Sequence, residues 1–111
     1  TERCAEAASK LDCDAEFIIN LQGDAPLTPA MLVPALVQRL RSDSDAVMAT
    51  PAVRCAPSML AHLQGDEAAG RVGGTTAVFD RRGRALYFSQ RILQYLPPSI
   101  DPSKAPVYLH L

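Results

Sequence analysis

The sequence predicts an α/β fold, with a sheet flanked by helices and extended by a β-hairpin. Three features carry this prediction. The apolar, β-branched run Phe17-Ile18-Ile19-Asn20-Leu21-Gln22 reads as a buried strand that stops at Gly23-Asp24-Ala25-Pro26. A second run, residues 46–50, ends at Pro51, and a helical pattern lies between the two with Met31, Leu32, Leu36, Val37 and Leu40 on one face. Further on, Arg81-Arg82-Gly83-Arg84 separates two strand-like stretches, 75–80 and 85–88, which is a hairpin signature.

The elements follow in order. Thr1 caps a helix over 2–11, with Cys4, Ala7, Ala8 and Leu11 on one face. After the strand at 17–22, Thr28-Pro29 reads as an N-cap and first helical residue, and Pro34 marks where that helix begins or kinks. Two strands bridged by a helix make a βαβ crossover, hence a parallel pair, and this unit occupies 1–52. From residue 53 to 111 the pattern changes to a short helix at 58–64, a polar, Gly-rich loop at 65–74, and then the hairpin. Four prolines between Pro97 and Pro106 describe an extended segment, and 107–111 reads as a final strand.

Composition narrows the function classes. A chain of 111 residues with 48% hydrophobic content makes one globular domain at most. Net charge is −1 with Lys and Arg scattered, so nothing marks a nucleic-acid surface. No apolar run reaches membrane-spanning length, and Thr1-Glu2-Arg3 does not open like a secretory leader. Cys4, Cys13 and Cys55 lack metal-ligand spacing and read as reduced thiols of a cytoplasmic protein.

Chemistry concentrates at the end of the first strand. Ligands of open α/β sheets sit beyond the carboxyl ends of the strands. Asp24, with Gly23 beside it for close approach, is placed there to hold a divalent cation against a phosphate. The same Gly-Asp-x-Pro is equally ordinary turn punctuation.

Taken in order, Thr1-Glu2-Arg3, Asn20-Leu21-Gln22-Gly23-Asp24-Ala25-Pro26, Met48-Ala49-Thr50, Asp80-Arg81-Arg82-Gly83-Arg84-Ala85-Leu86-Tyr87-Phe88-Ser89 and Tyr108-Leu109-His110-Leu111 resemble the 3-deoxy-manno-octulosonate (KDO) cytidylyltransferases, or CMP-KDO synthetases. The resemblance runs along essentially the whole chain. It implies part of a three-layer, Rossmann-like sheet of the nucleotide-diphospho-sugar-transferase type, with a hairpin subdomain serving sugar-acid binding and dimerisation. It also implies CMP transfer from CTP to a sugar acid, with Mg²⁺ as cofactor and a homodimeric assembly. By the same resemblance Asp24 is the metal ligand and catalytic residue, and Gln22, Gly23, Gln90, Arg91 and His110 contact substrate. Thr1 and Arg3 lie near the nucleotide.

Members of that family are longer, with a phosphate-binding loop and a second metal-binding aspartate that have no counterpart here. The chain is therefore expected to be the middle of such an enzyme and inactive alone. Ala25 stands where the family has glutamate, Gln90 where it has arginine, and Pro97 where another arginine is expected. Val72-Gly73-Gly74-Thr75-Thr76 replaces an Asn- and Pro-containing loop ending in an apolar-Lys pair. A glutamine cannot supply the charged fork with which arginine holds a carboxylate, so a divergent subgroup is expected. Two alternatives stand beside this reading: a non-catalytic binding or self-associating domain, and a cytidylyltransferase for another sugar acid such as a sialic acid.

Overall fold

The structure, a computed structural model, describes residues 2–12, 14–23 and 26–111. The chain divides into two compact units, Thr1–Ala49 and Thr50–Leu111. Among the described residues no helix is long and apolar enough to cross a membrane.

The first unit holds two helices. Helix α1 spans Glu2–Ser9 and half-buries Cys4 and Ala8 on its apolar face. It ends two residues earlier than expected, where the Ser9 hydroxyl donates to the Glu6 carbonyl at 2.8 Å. The expected Thr1 cap lies outside the described residues. Helix α2 spans Leu32–Arg41, with Leu32, Val33, Leu36, Val37 and Leu40 half-buried as the 3.6-residue period requires. Met31, expected on that face, is instead 75% exposed just before the helix. Pro34 causes no kink, because it sits in the first turn, where a missing N–H leaves no intrahelical bond unmade. Arg41, in the last turn, reaches Glu16 at 2.6 Å and lies 5.5 Å from the Phe17 ring centroid. That hydrogen bond to Arg41 holds the Glu16 carboxyl below its ordinary range.

The strands expected at 17–22 and 46–50 do not form, and with them goes the parallel βαβ pair. Both stretches are irregular, and Ile18, Ile19 and Leu21 are 67%, 51% and 64% exposed. A parallel strand needs ladder partners along its length and cover on both faces. The described residues of this unit provide no strand beside these runs, and none of them is buried.

The second unit is a four-stranded sheet backed by a helix. Strands β1 (Ala52–Arg54), β2 (Thr76–Phe79), β3 (Ala85–Ser89) and β4 (Tyr108–His110) run in the order β1-β4-β2-β3, every pair antiparallel. The architecture is thus mixed α/β with an antiparallel sheet. Strand β1, unexpected from the sequence, begins directly after Pro51 and pairs with β4 in the register Val53↔Leu109. The hairpin forms where its turn residues place it. Asp80 Oδ1 accepts the backbone N–H groups of Arg82 and Arg84 at 2.8 and 2.9 Å, and Gly83 takes φ 79°, a left-handed conformation that glycine enters without strain. The Arg84 amide, more than that of Arg82, holds the Asp80 carboxyl below its usual range. A depressed carboxyl contributes stability above its unfolded pKa and loses it as pH falls through the folded one. This clasp therefore holds at neutral pH and opens only in acid.

Helix α3, Pro57–Ala68, runs four residues beyond the helix expected at 58–64, through Gly65. Leu60 and Leu63 meet Cys55, Ala105 and Val107 in a core where Val107 is fully buried. Leu60, Leu63 and Val107 each contribute about 1.5–3 kcal/mol by leaving water. Burial pushes the Cys55 thiol up and keeps it protonated. Cys4 and Cys55 are both free thiols, and Cys13 lies outside the described residues.

Candidate functional site: a cleft between the end of α3 and the end of the hairpin

Helix α3 ends in a Schellman motif, and that ending builds one wall of a cleft. The N–H of Gly70 bonds to the Glu67 carbonyl at 3.1 Å and that of Arg71 to the Asp66 carbonyl at 2.8 Å. Gly70 supplies the left-handed residue the motif needs, at φ 69°. The turn folds Arg71 back over Asp66, so that Arg71 Nε and Nη2 lie 3.0 and 2.7 Å from Asp66 Oδ1. Asp66 is only 7% exposed. Its other oxygen faces His62 Nε2 at 3.3 Å. A carboxylate in the last turn of a helix opposes the helix dipole, and the Arg71 fork offsets that. Gly73 passes so close that a Cβ there would lie 2.6 Å from Asp66 Oδ2.

The opposite wall follows β3. Thr76, 1% exposed, directs its hydroxyl at two carbonyls, those of Arg91 at 2.7 Å and Ser89 at 3.2 Å. The Arg91 N–H in turn donates to Ser89 Oγ at 3.0 Å. These bonds fix the backbone from which Gln90 and Arg91 project. Between the walls lies a shallow cleft lined by Glu67, Arg71, Gly73, Gln90 and Arg91, with Leu63, Gly74, Thr76 and Ile92 at its floor and sides. Gln90 and Arg91 are both exposed.

His110 is placed elsewhere. Leu109 pairs with Thr76 on the α3 side of the sheet, so its neighbour His110 points to the opposite face. There His110 Nε2 lies 2.8 Å from the Thr50 hydroxyl and the ring meets Phe88 edge-on at 5.1 Å. Tyr108 shares this face, 4.7 Å from Phe79 between ring centroids and with the Arg54 guanidinium 5.3 Å over its own ring. The structure thus brings Gln90 and Arg91 into one cleft and sets His110 on the other face of the same sheet. In the first unit, Gln22 and Gly23 are exposed at the end of the irregular run, with open space around Gly23, and Arg3 is exposed on α1. Asp24, Ala25 and Thr1 lie outside the described residues.

The cytidylyltransferase family model matches residues 1–98. The chain belongs to the cytidylyltransferase family. Among curated relatives, 3-deoxy-manno-octulosonate cytidylyltransferases from Maricaulis maris and Chlamydia pneumoniae are 38% and 40% identical to this cytidylyltransferase chain over all 111 residues. One from Zea mays is 32% identical over the same length. The chain spans about two fifths of the first two relatives, 42% and 39% of their lengths. No solved structure matches it.

Among the described residues of this cytidylyltransferase chain, no three His, Cys, Asp or Glu side chains gather into a metal cage. The sequence did not single out Asp66, Glu67, Arg71 or Thr76, although Gly70 a few residues after a helical run is a recognisable C-terminal signal.

Proposed function

We propose that this chain is the central part of an enzyme that transfers CMP from CTP to 3-deoxy-manno-octulosonate, releasing pyrophosphate, for lipopolysaccharide synthesis. The observation that carries the proposal is alignment of all 111 residues of this chain, at 38% and 40% identity, with part of enzymes bearing that name. In the reaction the sugar's anomeric oxygen attacks the α-phosphorus of CTP, the bond to pyrophosphate breaks, and the hydroxyl proton passes to solvent or base. The finer fold we assign to the whole enzyme is the three-layer nucleotidyltransferase sheet, in which residues 17–22 and 46–50 acquire ladder partners.

Within this scheme Asp24 holds Mg²⁺, which when bound neutralises phosphate charge. Gly23 keeps the backbone low so that ligands approach, and Gln22 hydrogen-bonds the sugar acid. Thr1 and Arg3 face the nucleotide. Gln90 and Arg91 serve the sugar acid from their cleft, whereas His110, held by Thr50 on the opposite face of the sheet, does not reach that cleft. The isolated chain is catalytically silent. The enzyme works in the cytoplasm as a homodimer, a reading supported by the edge strand β3, where Leu86 and Tyr87 are 66% and 60% exposed. Sedimentation at twice the chain mass of the full-length protein is the corresponding expectation.

Substrate choice tests the proposal. Pyrophosphate release by the full-length protein is expected with CTP and 3-deoxy-manno-octulosonate and not with a sialic acid. The reverse preference would move the enzyme to another sugar-acid branch.

A further inference from the structure

The cleft carries one residue whose chemistry the proposed function has not used. Arg71 presents five N–H donors. Asp66 engages Nε and Nη2, both at a single oxygen. The guanidinium is thereby anchored to the carboxylate while its side chain remains 66% exposed. Arg71 lines the cleft, and Arg91 and Gln90 form its far wall. A fork held rigid by a buried partner loses little entropy on binding an anion. Glu67, on the same cleft, selects among anions. It repels a multiply charged phosphate more strongly than a single carboxylate, and it accepts hydrogen bonds from hydroxyl groups.

We propose that Arg71 is a substrate-binding residue. Together with Arg91 it holds the carboxylate of a polyhydroxy monocarboxylic acid in this cleft, while Gln90 and Glu67 take its hydroxyls. The inference rests on the cytidylyltransferase reading above and adds a second cation to the sugar-acid site. It also accounts for a glutamine at position 90, since the charge needed to bind a carboxylate is supplied from the end of α3.

Steady-state kinetics of the full-length enzyme test it, with CTP and 3-deoxy-manno-octulosonate varied separately. Arg71→Gln is expected to raise KM for the sugar acid about tenfold or more, the range for one charge-assisted hydrogen bond, and to leave KM for CTP within about twofold. Arg71→Lys keeps the charge beside Asp66, and so the fold, but lacks the planar fork; it is expected to raise the same KM severalfold. It carries the test if Arg71→Gln melts early. An unchanged sugar-acid KM in a folded Arg71→Lys enzyme overturns the inference. So does a rise in KM for CTP of equal size, which would give the cleft to the nucleotide phosphates. A wild-type enzyme with no CMP transfer overturns the functional reading itself, an outcome distinct from both.

Discussion

Asp24→Asn in the full-length enzyme is expected to lower Mg²⁺-dependent CMP transfer by about 10²- to 10³-fold, the cost typical of removing one electrostatic contact to developing phosphate charge. The substitution keeps the size and hydrogen-bonding shape of the side chain, so folding is expected to survive. It removes the negative charge with which the protein holds a hard cation. The activity that remains should need more Mg²⁺, and raising the metal concentration should recover part of it. Rates measured across a Mg²⁺ series check this. An Asp24→Asn enzyme with wild-type turnover and metal dependence would return Gly23-Asp24-Ala25-Pro26 to its plain reading as a turn.

The largest stability effect is expected at Leu63. Its side chain is 5% exposed, belongs to the core with Cys55, Leu60, Ala105 and Val107, and lies under the glycine wall of the cleft, 3.1 Å from where a Gly73 Cβ would stand. Leu63→Ala leaves a cavity in a small core and is expected to cost about 2–5 kcal/mol. That is a large share of the roughly 5–15 kcal/mol that holds a typical domain folded. Leu63→Met, nearly equal in volume, should cost less than about 1.5 kcal/mol. Urea unfolding of the full-length enzyme checks both, with the midpoint falling and the slope unchanged. Equal losses for the two variants would mean that volume at this position is not what the core uses.

Local chemistry was legible in the sequence and distant pairing was not. The hairpin could be read because Asp80 and Gly83 shape their own turn within five residues. Helix α2 could be read because its apolar positions repeat every three to four residues. The runs at 17–22 and 46–50 share the composition of buried strands, but composition does not supply the neighbouring strands that such a run must pair with. Strand β1 was missed for the same reason, since its partner β4 lies more than fifty residues away. Helix α3 runs past the end its sequence suggests because Gly65 and Asp66 read as loop residues. Asp66 is tolerable in the last helical turn only because Arg71 returns to it, five positions on, across a glycine. That spacing belongs to a C-terminal turn and not to a helical face, so no periodicity search reveals it. Gln90 and Arg91 were found through family resemblance, and their shared cleft with Arg71 emerges only when the end of α3 is folded back toward the end of β3.

The most direct test of the account is phosphorus NMR of the full-length protein incubated with CTP, 3-deoxy-manno-octulosonate and Mg²⁺. A new CMP-sugar phosphodiester resonance and pyrophosphate are expected, appearing in equal amounts as CTP disappears. Unchanged CTP resonances, or conversion of CTP to CDP and phosphate without a phosphodiester, would contradict it.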